Sequence, residues 1–175
     1  MIKQKIILVL LLVNLMSNAQ ENTALEMVRS EFQEIKNEGD IENLLAFEAK
    51  NAKEDELQLI KAYQAAGTCM MANYVSSAVS KLKYFKAGKK DLEELIGKGK
   101  EVENVYLRLL LQLNVPRLLN YHKNIEEDMA YLGDSLAKAP IDLSYKKIMI
   151  DNLVSVTKKQ EVKEVLLQIK VVEEG

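Results

Sequence analysis

His122 is the only histidine of the chain, and it lies between Pro116 and an acidic triplet, Glu126 to Asp128. A lone histidine can act as a general base near neutral pH, and Glu126 or Asp128 could orient its ring. The same acids fall in the predicted first turn of a helix, where carboxylates favour the exposed amides and the helix dipole. We therefore interpret them as helix-start residues, and we assign no catalytic residue.

The composition offers little for metal or cofactor chemistry. His122 and Cys69 are 53 residues apart and match no zinc-binding spacing. The acidic residues do not form a calcium-binding loop, and no nucleophile elbow, phosphate-binding loop or dinucleotide fingerprint is present. Cys69 lies in an apolar segment without a basic neighbour, which predicts a buried, unreactive thiol. We expect no metal and no cofactor.

A second group of candidates could bind a ligand. Tyr63, Met70 and Tyr74 follow one side of a predicted helix and could line a cavity for an apolar molecule. Core packing at helical spacing explains the same residues and is the interpretation we favour. Tyr121 and His122 are further binding candidates.

The first 19 residues have the three parts of a secretory signal peptide. Lys3 and Lys5 precede an apolar run from Ile6 to Val13, and Ser17 and Ala19 are the small residues of a cleavage site before Gln20. A membrane-spanning helix needs about 20 apolar residues, and this apolar run is shorter. The sequence thus predicts an exported chain, periplasmic or extracellular, with one domain over residues 20–175 and no membrane span in the mature protein.

The mature chain shows helical periodicity nearly throughout, without the alternation of strands. Its 22 basic and 26 acidic residues form no basic block, which argues against nucleic acid as a partner. We predict an all-α fold of about eight antiparallel helices stacked as hairpins. The predicted helix starts are Thr23 with Glu26, Asp40, and Asn124 with Glu127; the predicted ends are Gly39, the left-handed glycines of Gly97–Gly99, Pro116, and Ala139–Pro140.

Several faces are predicted to point inward. The small residues between Ala62 and Ala72 indicate a central helix, and Val102–Leu113 is apolar enough for burial on more than one side. Leu82, Phe85, Leu92 and Leu95 are expected to face the core from one helix. The last predicted helix is expected to face the core with Val162, Val165, Leu166, Ile169 and Val172.

The turn between two helices, from Asn114 to Asn124, forms a predicted structural corner with Arg108 behind it. Pro116 ends one helix because it lacks an amide hydrogen, and Asn124 begins the next. A buried guanidinium needs partners, which Asp128 or the carbonyls of residues 116–121 could supply. We hypothesise that Arg108 ties the corner to the helix behind it.

Two resemblances follow from these motifs. The helix pairs, with Ala66, Ala78 and Leu82 near the expected positions, resemble a tetratricopeptide-type array. The first-helix Trp-x-x-Leu-Gly-x-x-Tyr pattern is missing, and no second copy aligns at the array's period of about 34 residues, so the resemblance implies the architecture only.

The segments YFKAGKKDLEELI and LRLLLQLNVPRLLNYHKNIEEDMAYL resemble a family of small exported helical proteins of Bacteroidetes-type bacteria. The resemblance covers Leu57 to Leu136 and implies export and a helical fold, but it supplies no catalytic residues. It is carried by Arg108, Asn114, Pro116, Leu119, Tyr121, Asn124, Ile125 and Asp128.

Three functions are compatible with these observations. The favoured one is a non-enzymatic module that binds a protein or peptide, since helical stacks expose grooves for such partners. The alternative is a carrier of an apolar, lipid-like ligand, with a cavity near Tyr63, Met70 and Tyr74. An enzyme that uses His122 is the least favoured, because no complete catalytic set can be named.

Overall fold

The computed structural model describes residues 23–50 and 52–172. The predicted signal peptide, residues 1–19, and its cleavage site before Gln20 lie outside these described residues. Eight α-helices and two short 3-10 helices make up the described part, which contains no strand, so the all-α prediction is confirmed. The α-helices are α1 (Ala24–Glu34), α2 (Glu38–Ala46), α3 (Glu54–Met70), α4 (Ala78–Lys98), α5 (Val102–Asn114), α6 (Ile125–Ser135), α7 (Leu143–Val156) and α8 (Gln160–Leu167).

Several helices that are adjacent in the chain pack against each other as hairpins: α3 contacts α4, α5 contacts α6, and α7 contacts α8. α3 also contacts α1, α2 and α5, so the prediction of a central α3 is confirmed. Within the described ranges, no helix is long and apolar enough to cross a membrane.

The first helix starts as predicted and the second does not. Thr23 and Glu26 form the reciprocal capping box of α1. The prediction that Gly39 ends a helix and Asp40 begins the next was wrong, because Asn37 caps α2. Asp40 is instead the third helical residue, and its carboxylate accepts the backbone N–H of Asn37. Gly39 consequently lies inside α2.

α3 and α4 meet at Gly88, which is buried in α4. A Cβ added to Gly88 would lie 2.3 Å from the carbonyl oxygen of Ala65 and 2.7 Å from the backbone nitrogen of Cys69. The small side chains predicted to make α3 slim therefore let the α4 backbone approach closely. The expectation for Leu82 was wrong: it is 40% exposed, since it lies outside this contact.

α4 ends at Lys98 without the predicted left-handed glycine. Gly99 has extended backbone with φ −170°, and its N–H donates to the carbonyl of Leu95. Among the described residues, positive φ occurs at Asn120 and at no glycine. Asparagine tolerates this conformation, and Asn120 follows the 3-10 helix Arg117–Leu119 in the corner.

α5 is buried along most of its length, as predicted: 9 of its 13 residues are buried. It ends at Asn114, because Pro116 forces Val115 into extended backbone with ψ 149°. α5 contacts α3, α4, α6 and α7, and this encloses it.

The later helices differ from prediction at their ends. Asn124 precedes α6 but makes no side-chain cap; its amide nitrogen donates to the Glu127 carboxylate instead. α6 ends at Ser135, before the predicted Ala139–Pro140. Val165 and Val172, expected inside, are 46% and 57% exposed. In α8 only Leu166 is buried, and Val172 lies beyond the end of the helix at Leu167.

Gly88→Ala is expected to lower the free energy of unfolding by about 1–3 kcal/mol, because the new methyl group meets backbone atoms of α3 that have little room to move. Urea unfolding of the folded protein measures the change. Gly97→Ala is the matched control in the same helix, since nothing lies within 4 Å of its added Cβ. Equal stability of the two variants would contradict the close contact between α3 and α4.

Candidate functional site

A line of polar side chains runs along buried α5. Asn104, Arg108 and Gln112 are spaced by four residues and therefore lie on one side of the helix. All three are at least 95% buried, and Glu103 beside them is also buried. We call Glu103, Asn104, Arg108 and Gln112 the α5 polar stripe. Polar groups in such a position need partners, so the partners of each define the site.

Arg108, at the middle of the stripe, is fully partnered. Its Nε donates to Asp128 Oδ2 at 2.8 Å, Nη2 to Asp128 Oδ1 at 2.5 Å, and Nη1 to Glu93 at 3.1 Å. Tyr121 donates its hydroxyl to the same Glu93 at 2.7 Å. Arg108 thus joins α4, α5 and α6, and through Glu93 it reaches the corner residue Tyr121.

Burial raises the pKa of Asp128, whereas its contacts with Arg108 oppose this by lowering it. For Arg108, burial acts to lower the pKa, but the hydrogen bonds and charges of Asp128 and Glu93 together outweigh it and raise the pKa overall. The guanidinium therefore keeps its charge. Burial and the bond to Glu93 also raise the pKa of Tyr121, so its hydroxyl stays a donor.

Glu103 belongs to a second buried network. Arg29 of α1 donates to both carboxylate oxygens, with Nε at 2.8 Å from Oε2. The Tyr63 hydroxyl donates to Oε2 at 2.6 Å and lies 2.7 Å from the Tyr145 hydroxyl. Burial, followed by the charge of Glu103, raises the pKa of Tyr63. Both oxygens of Glu103 are thus already bound to neighbouring side chains.

Gln112 ends the stripe without partners. It is completely buried, yet neither its Nε2 nor its Oε1 has a hydrogen-bond partner. It lies in the wall of a cavity of about 910 Å³ between the end of α5, the corner, α6 and the connection from α7 to α8. The cavity also has an apolar part, which includes Val115, Met129 and Val162.

The cavity wall is strongly basic. Arg117, Lys123, Lys158 and Lys159 line it, together with the single carboxylate of Glu126. None of these four cations forms an ion pair with any residue that the structure describes. We call this the basic cavity. Its unneutralised positive charge and the Gln112 amide together favour an anionic ligand that can also hydrogen bond.

The structure separates His122 from its proposed partner Asp128. His122 lies in the wall of the basic cavity, and its Nε2 is 3.2 Å from the carbonyl oxygen of Val115. A carbonyl only accepts, so Nε2 carries the proton. Asp128 points to Arg108 instead, and Tyr121 to Glu93. The corner therefore has a core side, with Arg108 and Tyr121, and a cavity side with His122.

Of the other predicted corner residues, Asn114 and Pro116 line the basic cavity, whereas Asn124 binds Glu127. The basic cavity is not lined by Tyr63, Met70 or Tyr74. Tyr63 is completely buried in the Glu103 network. Tyr74 is 40% exposed, and its hydroxyl donates to the carbonyl of Lys36 at 3.3 Å.

Metal and thiol chemistry find no support in the described ranges. No group of three or more His, Cys, Asp or Glu side chains there could hold a metal ion. Cys69 is buried, and its thiol lies 3.5 Å from the carbonyl oxygen of Phe85. Burial raises the pKa of this thiol to about 12, so the nucleophilic thiolate is disfavoured.

Comparison with known proteins identified no matching family model, curated protein or solved structure.

Sequence reasoning singled out Arg108 but missed the rest of the stripe. The available signal was the four-residue spacing of Asn104, Arg108 and Gln112 in an otherwise apolar helix. Arg29, the partner of Glu103, lies 74 residues away from it in the sequence, and Glu93, a partner of Arg108, lies 15 residues away. No local pattern in the sequence marks these partners.

Arg108→Ala is expected to lower the free energy of unfolding by about 3–5 kcal/mol, because it leaves Asp128 buried without its cation. Arg108→Lys should recover part of this loss, since an ammonium keeps the charge but cannot bind the carboxylate in the same forked geometry. Urea unfolding at neutral pH compares them. If both variants unfold like the parent, Arg108 does not tie these helices together.

Proposed function

We propose that this protein is a non-enzymatic binding module that takes a carboxylate-bearing peptide segment of a partner protein into the basic cavity. One observation carries the proposal: Gln112, which lines the cavity, is completely buried, and both polar atoms of its amide are unpartnered. Such a group costs about 1–3 kcal/mol of stability if nothing binds it. A ligand that satisfies it recovers this energy.

A peptide backbone suits the Gln112 amide. Each peptide group has one N–H donor and one C=O acceptor, and a glutamine side chain has an acceptor and donors of its own. The N–H and C=O of one residue in an extended peptide belong to two successive peptide groups and face the same side, so together they can satisfy both polar atoms of Gln112. A simple anion offers acceptors only and would leave Oε1 without a partner.

The charge of the cavity favours carboxylates on that peptide. Arg117, Lys123, Lys158 and Lys159 form no ion pairs among the described residues, and Glu126 offsets only one of the four charges. Hydrogen bonds between cations and carboxylates are stronger than neutral ones, and complementary charge also speeds association. Aspartate, glutamate or a terminal carboxylate would serve.

The size and apolar part of the cavity fit a short segment. Its volume of about 910 Å³ lies within the range of ligand-binding cavities, about 300–1,000 Å³. Val115, Met129 and Val162 can contact an apolar side chain that neighbours the acidic one. This combination selects a peptide with both acidic and apolar residues.

The surroundings of His122 support binding rather than catalysis. A general base needs an orienting group and a stabiliser of the developing charge close by. Nε2 of His122 is engaged with the Val115 carbonyl, and Asp128 is engaged with Arg108. We therefore assign His122 a place in the binding wall.

The alternative is a carrier of a lipid-like molecule with a carboxylate head, which the apolar part of the same cavity would also accommodate. Mass spectrometry of gently purified protein separates the two functions. A lipid that copurifies in stoichiometric amount favours the carrier, whereas its absence together with selection of acidic peptides favours the binding module.

Gln112→Leu is expected to raise the free energy of unfolding by about 1–3 kcal/mol, because an apolar side chain of similar shape replaces a buried amide without partners. Gln64→Leu is the matched control. Nε2 of Gln64 donates to the carbonyls of Leu44, Leu45 and Phe47, so its loss should destabilise the protein. Destabilisation by Gln112→Leu would show that the amide is already satisfied.

Binding itself is measured by selecting a random peptide library on the folded protein. Peptides with Asp or Glu beside apolar residues should be enriched, and Gln112→Leu or Lys158→Gln with Lys159→Gln should abolish the enrichment. Lys81→Gln with Lys83→Gln, exposed lysines outside the cavity, is the charge control. No enrichment, or enrichment that survives the cavity variants, contradicts the proposal.

We also propose that the protein acts outside the cytoplasm and is related to the small exported helical proteins that its corner resembles. The basic start, apolar run and small residues before Gln20 support export. The intact mass of the protein recovered from the periplasm or medium should correspond to a chain that begins at Gln20. A full-length chain retained in the cytoplasm would contradict export.

A further inference from the structure

A second cavity lies at the opposite end of α5 and has the opposite charge. Its volume is about 600 Å³, and Asp55, Glu56, Glu101, Glu103 and Asn104 line it. We call it the acidic cavity. We infer that it is a separate binding site for an alkylammonium group, supplied by a lysine side chain or by a free amino terminus.

Asn104 provides the observation that points to a ligand. Only 2% of its surface is accessible to solvent, and its Oδ1 has no hydrogen-bond partner. A side-chain carbonyl oxygen only accepts, so it needs a donor. An ammonium group has three N–H donors and no acceptor, so it can serve Asn104 and a carboxylate at the same time.

The free negative charge comes from the rim of the cavity. Asp55, Glu56 and Glu101 form no ion pairs with the residues that the structure describes. The two cations of the wall are already engaged: Arg29 binds Glu103, and Lys98 binds Glu94 at 2.9 Å. With four acidic and two basic side chains, the wall has a net negative charge, which attracts a cationic ligand.

Helix capping explains only part of this arrangement. Asp55 and Glu56 lie in the first turn of α3, where acids favour the helix dipole. Glu101 precedes α5 but makes no side-chain cap, and the dipole does not explain the unpartnered oxygen of Asn104. The carboxylate of Glu101 and the Oδ1 atom of Asn104 can therefore bind a ligand.

An organic cation fits better than a metal ion. Among the described residues, no three acidic or other ligating side chains converge on one point, as a metal ion would require. The wall also contains Leu59, Leu95 and Ile141, which can contact the methylene groups of a lysine side chain. A carbon stem with an ammonium end matches both parts of the wall.

The test is an NMR titration of the folded protein with Nα-acetyl-lysine N-methylamide. Saturable shifts at Asn104 and its neighbours are expected. The Nα,Nε-diacetyl form has nearly the same shape without the charge and should bind at least about tenfold more weakly, because charged hydrogen bonds are lost. Alanine N-methylamide, which presents an α-ammonium group, shows whether an amino terminus is accepted as well.

Asp55→Asn with Glu101→Gln should weaken binding of the lysine probe about tenfold, since two charge-assisted contacts become neutral. Both positions are exposed, so the fold is retained. Glu42→Gln with Glu161→Gln removes two exposed charges outside the cavity and should leave binding unchanged. Equal binding of the charged and diacetylated probes, or parental affinity in the Asp55 and Glu101 variant, overturns the inference. Gln112→Leu should not affect this titration, which keeps the two sites distinguishable.

Discussion

The burial of a polar stripe on α5 is the constraint around which the other helices are arranged. Glu103 and Arg108 are charged and buried, so each requires an opposite charge from another helix. Arg29 brings α1 to one end, while Asp128 and Glu93 bring α6 and α4 to the middle. A buried ion pair adds little net stability over apolar packing, but an alternative arrangement would leave a charge unpaired. We infer that these ion pairs determine which helices pack against α5.

The two ends of α5 combine features that stabilise the helix with the two binding sites that we propose. Acids near its N-terminus and cations near its C-terminus agree with the helix dipole, so part of this charge distribution stabilises the helix itself. The side chains of Asn104 and Gln112 gain nothing from the dipole and have unpartnered polar atoms beside the cavities. Their cost to the folded state is the physical reason why we propose a binding site at each end.

Local signals predicted helices better than helix ends. Thr23 with Glu26 and the stop before Pro116 were correct, because each depends on contacts within a few residues. Asp40 was wrong as a cap, whereas Asn124 occupies the predicted N-cap position but makes no capping hydrogen bond. Caps are hard to predict because several side chains near a helix start compete for the same amides. Asn37 takes that place before α2, and Glu127 engages the side chain of Asn124.

The sequence by itself determined that the described chain is helical, that α3 is slim and central, and that α5 is enclosed. These properties follow from the spacing of apolar and small residues, which every turn of a helix repeats. Only the tertiary structure decided which carboxylates Arg108 binds, that His122 and Asp128 face different surroundings, and where the cavities lie. His122 and Asp128 are six residues apart on a corner, where side chains can point in any relative direction. Glu103 and Arg29 form their contact although 74 residues separate them in the sequence. Such pairings depend on how whole helices pack, and no local pattern of residues encodes that.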